Sequence, residues 1–182
     1  MTAEARGGGT TRLEPGSFRD ADSTVFYTDE GVFRALSPSG RDDFEALERS
    51  RLYERFTGDG RLVGTERADG GAAVPALRNE EVAALLKHET IPFVSYPYEW
   101  PFGMLRDAAA LQLELLLEAI EEGLTLKDAS PYNVQWRGAR PVFVDVGSFE
   151  WLREGEPWAG YRQFCMLYLY PLLLQAYRQV LF

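Results

Sequence analysis

Cysteine and histidine are almost absent from this chain, which narrows the kinds of site it can form. The one cysteine, Cys165, stands between Phe164 and Met166, where a buried and unreactive thiol is expected. The one histidine, His88, has no cysteine or second histidine to join it, and we expect it to cap a helix end or lie at the surface. A disulfide framework and a cysteine-based metal site are therefore excluded, and a metallohydrolase is not favoured.

Basic residues are in the minority. The chain has 19 lysine and arginine residues against 28 aspartate and glutamate residues, which gives a formal net charge of -9. A polyanion would meet repulsion over most of such a surface, so we do not expect nucleic acid as a partner. A ligand that carries phosphate would need a local positive site or a metal ion.

Long uninterrupted apolar runs are also lacking. The apolar stretch at residues 164–177 contains Pro171 and Gln175, and a run of only about 14 residues is too short for a membrane span. We expect a buried helix that is broken near Pro171, and no association with a membrane. Residues 1–12 contain no apolar stretch that could act as a signal peptide, so a cytoplasmic location is expected.

The remaining composition is that of a globular protein. The 182 residues are 46% hydrophobic and 13% aromatic, enough for one compact domain or two small lobes. After a disordered tail at residues 1–16, the pattern predicts a β-meander, a helix, a strand, a short helix and a buried strand. These elements fall at residues 17–19, 24–27 and 32–36 (the meander), 41–56, 61–67, 79–87 and 91–96.

The second half of the chain begins with an aromatic linker at residues 96–101, where Pro97 and Pro101 disfavour regular structure. A helix is predicted at 105–122, ended by Gly123, and short strands at 124–126, 134–136 and 141–144. The helix carries an apolar stripe at Leu105, Ala109, Leu113, Leu116 and Ile120. The pattern indicates an α+β protein with a strand-rich region at 17–96 and a helical region at 97–182.

Three polar side chains stand at the ends of these short strands. Asp128 follows the first strand, Asn133 precedes the second and Asp145 follows the third. Phosphoryl transfer needs two hard oxygen ligands that hold Mg²⁺ and a separate carboxylate that orients the acceptor hydroxyl. We expect Asp128 to orient the hydroxyl, and Asn133 and Asp145 to hold the metal.

Two short motifs carry a resemblance to a known superfamily. The run Lys127-Asp128-Ala129-Ser130-Pro131-Tyr132-Asn133 resembles the catalytic loop of protein kinases and aminoglycoside-type phosphotransferases. The later Asp145-Val146-Gly147 resembles their metal-binding Asp-Phe-Gly. The resemblance implies a protein-kinase-like two-lobed fold, with a β-rich lobe at 17–96 and a hinge with a truncated helical lobe at 97–182. It also implies ATP and Mg²⁺ as cofactors and an unknown hydroxyl acceptor.

The same resemblance assigns further residues to the nucleotide. Arg34 takes the place of the lysine that bridges the phosphates to a helix glutamate, for which Glu48 or Glu45 is the candidate. Tyr96 and Tyr98 lie at the hinge, where an adenine would bind. Lys127, beside Asp128, would take part in catalysis, either by contacting a phosphate or by shifting the pKa of Asp128. An equally weighted interpretation makes Arg34 an exposed strand residue that pairs with a neighbouring acid.

Departures from the family pattern favour a second hypothesis, a non-catalytic, pseudokinase-like module. The turn Asp20-Ala21-Asp22-Ser23 has two carboxylates and no glycine where the family places a phosphate-binding glycine-rich loop. Arg34 keeps the charge of the family's lysine but not its compact geometry. In a third hypothesis the protein is a plain structural domain in which Asp128 and Asn133 only cap turns.

A second resemblance covers nearly the whole chain. The run from Leu126 to Asn133 and the run from Pro157 to Cys165 look like the N-terminal region of bacterial nodulation-type proteins with a downstream S-adenosylmethionine-dependent methyltransferase domain. This chain has no glycine-rich strand-turn-helix for that cofactor. The resemblance therefore implies a module whose partner is the downstream methyltransferase domain.

Overall fold

The computed structural model describes residues 11–68 and 81–179, and these residues form two compact units. The first unit contains the described residues up to Asp42, together with 65–68 and 81–90. The second contains Asp43–Gly64 and the described residues from Ile91 onwards. The division between the units therefore falls at Thr90, before the expected hinge, and residues 43–64 belong with the second unit.

The first unit is built on a five-stranded antiparallel sheet with the strand order β1-β2-β3-β5-β4. The strands are β1 (Arg12–Leu13), β2 (Ser23–Thr28), β3 (Gly31–Leu36), β4 (Thr65–Arg67) and β5 (Ala84–His88). Gly31, at φ 132°, closes the tight β2–β3 hairpin in a conformation that few side chains tolerate. Phe26 stacks on Phe33 with ring centroids 5.6 Å apart, and both pack with Ala35 and Leu85 in the core.

Two strands of the predicted meander are confirmed as β2 and β3, but the prediction of a strand at 17–19 is wrong. Pro15–Arg19 is a 3₁₀ helix, because Pro15 fixes φ at its start and the Glu14 carboxylate accepts a hydrogen bond from Gly16 N. The prediction of a helix at 79–87 is also wrong for its described residues, since β5 pairs with β3 on one side and β4 on the other. This double pairing overrides the helix preference of alanine and leucine.

The N-terminal tail expected at 1–16 includes both described and undescribed residues. Residues 1–10 lie outside the described part of the chain, as do residues 79–80 of the predicted helix. Arg12 and Leu13 form β1, which pairs with Tyr27 and Phe26 of β2. The sheet of the first unit therefore begins within the last part of the expected tail.

The predicted helix at 41–56 is two helices, α1 (Pro38–Glu48) and α2 (Arg51–Gly58). Ser50 separates them, because its backbone is extended and its side chain accepts a hydrogen bond from Tyr53 N at 3.1 Å. The carboxylate of Glu122 also accepts hydrogen bonds from Arg51 N and Leu52 N, at 3.0 and 2.9 Å. A residue far along the chain thus completes the N-terminal cap of α2.

The predicted helix at 105–122 is confirmed as α3 (Phe102–Glu121), and Gly123, at φ 76°, follows it. Its buried face differs from the predicted stripe, because Leu113 and Ile120 are 38% and 43% exposed. Leucines occupy several sides of this helix, so the apolar period alone does not select one face. The buried residues are Leu105, Ala108, Ala109, Leu111, Gln112, Leu115, Leu116 and Ala119.

The short strands after α3 are confirmed and form two antiparallel pairs. β6 (Leu124–Leu126) pairs with β9 (Phe149–Trp151), and β7 (Val134–Arg137) pairs with β8 (Arg140–Phe143). The predicted strand at 61–67 is divided: only its end forms β4, while Arg61 and Val63 exchange backbone hydrogen bonds with Phe143 of β8.

The prediction of a buried strand at 91–96 is wrong. Phe93 and Val94 are 74% and 54% exposed, and a 3₁₀ helix, Pro97–Glu99, follows. Pro92 and Pro97 each lack a backbone N–H, so the segment has fewer donors for a sheet.

The last helical segment consists of α4 (Tyr161–Phe164), a π-helical turn (Cys165–Leu169) and α5 (Tyr170–Arg178). The expected irregularity near Pro171 is the π-helical turn that precedes it, because Pro171 cannot donate a hydrogen bond to the turn before it. The prediction that this helix is buried is wrong except at Cys165 and Tyr168. Across residues 11–68 and 81–179, no helix combines the length and apolarity needed to cross a membrane.

Candidate functional site

The Asp128 carboxylate is held by two side-chain donors within the second unit. Asn133 Nδ2 donates to Asp128 Oδ1 at 2.8 Å, and Ser148 Oγ donates to the same oxygen at 2.9 Å. Asp128 and Asn133 are both half-buried. The structure therefore brings together two of the three side chains that the sequence analysis singled out.

The third, Asp145, follows β8 at the same end of the hairpin. Val144 N donates to the Asn133 carbonyl at 2.8 Å, which continues the β7–β8 pairing up to the residue before Asp145. Ser148 N then donates to the Asp145 carbonyl at 3.0 Å and closes the 3₁₀ turn Val146–Ser148. The chain from Asp145 thus turns back within four residues to the Ser148 hydroxyl that binds Asp128.

The local sequence explains how Asn133 reaches Asp128. Ser130 has an extended backbone and accepts a hydrogen bond from Tyr132 N through its side chain, while Pro131 begins the 3₁₀ helix Pro131–Asn133. Asn133 N donates to the Ser130 carbonyl at 3.0 Å. The same contacts are those of a capped turn, the role that the structural hypothesis gives to Asp128 and Asn133.

Lys127 lies next to Asp128 in the chain, but its ammonium group forms an ion pair with another residue. Lys127 Nζ is 3.2 Å from Asp43 Oδ2, and the two side chains are 28% and 16% exposed. Asp43 belongs to the part of α1 that lies in the second unit. Its carboxylate offsets the charge that the sequence analysis assigned to phosphate binding.

Arg34 is buried in the first unit, so the interpretation of an exposed strand residue is wrong. It is 6% exposed, and its guanidinium donates to Ser23 Oγ at 2.8 Å and to His88 Nε2 at 3.4 Å. Glu48, the expected partner on the helix, is exposed at the end of α1 in the second unit. The alternative partner, Glu45, accepts a hydrogen bond from Arg49 at 2.9 Å.

His88 is a buried strand residue, and the expectation of a helix cap or surface position is wrong. It is 7% exposed, and Nδ1 lies 2.9 Å from Thr65 Oγ1. Because Nε2 accepts the bond from Arg34, the ring proton is assigned to Nδ1. Burial, and then the nearby charge of Arg34, lower the pKa of His88 from 6.5 to about 3.

The two carboxylates of the first-unit turn are engaged in local hydrogen bonds. Asp20 accepts from Asp22 N at 2.9 Å and from Ser23 Oγ at 2.6 Å, and Asp22 accepts from Ser37 Oγ at 3.1 Å. These bonds give both acids a structural role in the turn that leads into β2.

Tyr96 and Tyr98 form an exposed aromatic cluster in the second unit. Their rings are parallel within 4° with centroids 5.5 Å apart, and the Tyr132 ring lies 6.5 Å from Tyr96. Because Tyr132 directly precedes Asn133, the cluster lies beside the Asp128 loop.

Several residues that contact the loop were not predicted from the sequence. Ser148 stands directly after the Asp145 motif, and Gln112 is the one amide on the buried face of α3, so both positions carried a signal. Gln112 Nε2 donates to the Asp128 carbonyl at 3.2 Å, and Gln163 Oε1 accepts from Ala129 N at 3.0 Å. Asp43 and Gln163 lie in segments with no local pattern that relates them to Asp128.

Comparison with known proteins relates this chain to a nodulation protein. No protein-family model matches the chain. The chain is 36% identical over 161 residues to the nodulation protein NoeA of Rhizobium meliloti strain 1021. The match covers 88% of this chain but 33% of that protein, so the chain spans about a third of the length of this relative. This similarity supports the predicted relationship to nodulation-type proteins.

Proposed function

We propose that the second unit carries the site of a kinase-like phosphotransferase that uses Mg-ATP. The observation that carries this proposal is the Asn133–Asp128 hydrogen bond of 2.8 Å at the end of the hairpin from which Asp145 emerges. One carboxylate, one amide and a second carboxylate are the groups needed to orient a hydroxyl and hold a metal beside phosphates.

The oxygen atoms of Asn133 and Asp145 suit Mg²⁺, which takes few ligands from the protein. They suit less well a metal whose ligands all come from the protein. Among residues 11–68 and 81–179 there is no group of three or more histidine, cysteine, aspartate or glutamate side chains that could hold a metal. Mg²⁺ is commonly bound by one or two carboxylates, with substrate phosphates and waters as the other ligands. Asn133 and Asp145 would hold it, and when bound it would supply positive charge that offsets the charge of the phosphates.

Asp128 would act on the acceptor rather than on the metal. A carboxylate that is fixed by two hydrogen bonds can accept the proton of a substrate hydroxyl in a defined direction. The exposed ring pair of Tyr96 and Tyr98 offers a flat surface on which an adenine could stack.

The order of elements in the chain also supports a two-lobed kinase-like fold. Protein kinases carry their phosphate-binding lysine on the third strand and pair it with a glutamate on the following helix. Arg34 lies on β3, and α1 follows directly. The five strands of the first sheet all come before α3 and the Asp128 loop in the chain. Arg34 stands at the chain position of that lysine and keeps its positive charge.

Calorimetric titration with ATP, with and without Mg²⁺, tests this function. We expect binding that requires Mg²⁺ and that weakens at least tenfold in Asp145→Ala, because one of two protein ligands is lost. The matched control is Asp107→Ala, which removes a half-buried acid on α3 that pairs with its neighbour Arg106. An absence of binding, or equal affinity in both variants, would reject the phosphotransferase site.

A second candidate is a non-catalytic module that acts with a further domain, such as a methyltransferase domain, in a longer protein. Its support is the threefold greater length of the NoeA relative, together with the structural bonds that engage Asp128 and Lys127. In that case ATP does not bind, and Asp128→Ala lowers thermal stability.

A further inference from the structure

The peptide unit between Asp128 and Ala129 is held at both of its polar atoms by side chains. Gln112 Nε2 donates to the Asp128 carbonyl at 3.2 Å, and Ala129 N donates to Gln163 Oε1 at 3.0 Å. The carbonyl and the N–H belong to the same planar group, so the two bonds together fix its orientation. This orientation sets the backbone from which the Asp128 side chain extends.

The two glutamines come from separate helices of the second unit. Gln112 lies on α3 and is fully buried, and Gln163 lies on α4. Side chains are rarely the partners of buried peptide groups on both sides, because backbone partners are more common. The loop between β6 and the 3₁₀ helix is not part of a sheet, so no neighbouring strand supplies hydrogen bonds to this peptide. Side chains from two helices supply them instead.

The helical segment that carries Gln163 also contains Tyr168, whose surroundings include the charge of Asp128. Tyr168 is fully buried in the π-helical turn Cys165–Leu169, and within residues 11–68 and 81–179 its hydroxyl has no hydrogen-bond partner. Burial, and then the charge of Asp128, raise the pKa of Tyr168. π-helical turns are frequent at functional sites. An unpaired buried hydroxyl is rare in folded proteins and calls for a physical explanation, of which a functional role is one.

We propose that Gln112 and Gln163 are positioning residues for Asp128. They hold the Asp128–Ala129 peptide in the orientation at which the carboxylate receives the hydrogen bonds of Asn133 and Ser148. The structural part of this inference stands by itself, and only its effect on turnover rests on the proposed phosphotransferase function. A misplacement of a catalytic group by about 1 Å can lower a rate by about 100-fold.

The first test uses nuclear magnetic resonance and needs no substrate. In Gln163→Leu, which removes the acceptor of Ala129 N–H, we expect hydrogen exchange of the Asn133 side-chain amide and of the Ala129 amide to rise at least tenfold. Gln163→Glu keeps an acceptor oxygen and should restore slow exchange. The matched control is Gln175→Leu on α5, whose buried amide oxygen has no partner in the described part of the chain.

The second test measures turnover in the same variants, with water as the acceptor, so that ATP and water give ADP and phosphate. We expect Gln163→Leu to lower kcat at least tenfold with an unchanged KM for ATP, and Gln163→Glu to recover most of kcat. If Gln163→Leu does not fold, Gln112→Met is used in its place. This variant removes the other hydrogen bond to the Asp128–Ala129 peptide.

The two tests separate the two proposals. Unchanged exchange of the Asn133 amide in folded Gln163→Leu would overturn the positioning role, whatever the protein does with ATP. Faster exchange in a protein that binds no Mg-ATP would support the positioning of Asp128 and reject the phosphotransferase.

Discussion

Acidification should destabilise the first unit through His88. Burial and the charge of Arg34 lower the pKa of this imidazole from 6.5 to about 3 in the folded protein, whereas in the unfolded chain it returns to its ordinary value. At pH values between these two pKa values, His88 binds a proton in the unfolded state but not in the folded state. The free energy of unfolding therefore decreases as the pH falls below about 6.5.

The size of the effect follows from the same two pKa values. Each pH unit inside the window changes the free energy of unfolding by about 1.4 kcal/mol for one proton. Between pH 7 and pH 5, of which about 1.5 units lie inside the window, we expect a loss of about 2 kcal/mol. His88 is 7% exposed, so solvent screens this effect little.

The measurement compares the wild type with His88→Gln by urea unfolding at pH 7, 6 and 5. The variant keeps an acceptor for Arg34 but cannot titrate, so the contribution of the 28 carboxylates is shared by both proteins and cancels in the difference. Far-ultraviolet circular dichroism is the suitable signal, because all four tryptophans lie in the second unit. The reasoning is refuted if the difference in free energy of unfolding between the two proteins changes by less than about 0.5 kcal/mol from pH 7 to pH 5.

Two further predictions concern stability. In Gly40→Ala the new Cβ would lie 2.7 Å from the Asp22 carbonyl oxygen, so overpacking should exceed the gain in helix propensity and destabilise the protein by about 1 kcal/mol. In Gly103→Ala on α3 the new Cβ meets no atom within 4 Å, so this variant should stabilise the protein by up to about 1 kcal/mol. If thermal unfolding shows stability changes of the same sign in both variants, the proposed clash at Gly40 is contradicted. Glu122→Ala removes the acceptor of two α2 amides and should cost about 1–2 kcal/mol by tryptophan-monitored urea unfolding, with Glu122→Gln between it and the wild type. An Ala variant as stable as the wild type would show that water replaces this cap.

The parts of the fold that the sequence predicted correctly are those with short-range causes. The β7–β8 hairpin turns at Gly138, whose φ of 59° few other residues adopt, and its strands are only a few residues apart. The end of α3 is likewise marked by Gly123. Such elements are specified by neighbours in the chain, and local patterns identify them.

Elements that depend on distant partners were missed. β5 has the composition of a helix and becomes a strand only because β3 and β4 flank it, and His88 is buried for the same reason. Within the candidate site, the sequence placed Asp128 and Asn133 in one short loop motif, and the structure joins their side chains by a hydrogen bond. The ion pair of Lys127 with Asp43 requires the packing of a helix from much earlier in the chain, which no local pattern encodes.

The cap of α2 by Glu122 has a consequence for the order of events during synthesis. Arg51 and Glu122 are 71 positions apart, which at ordinary ribosomal rates corresponds to about 4–14 seconds between their appearances. An isolated helix of eight residues is unstable in water, so α2 cannot persist during this delay. All strands of the first unit have been made by His88. The nascent chain can therefore complete that sheet while residues 43–64 are still unfolded, and they join the second unit only after α3 has been synthesised.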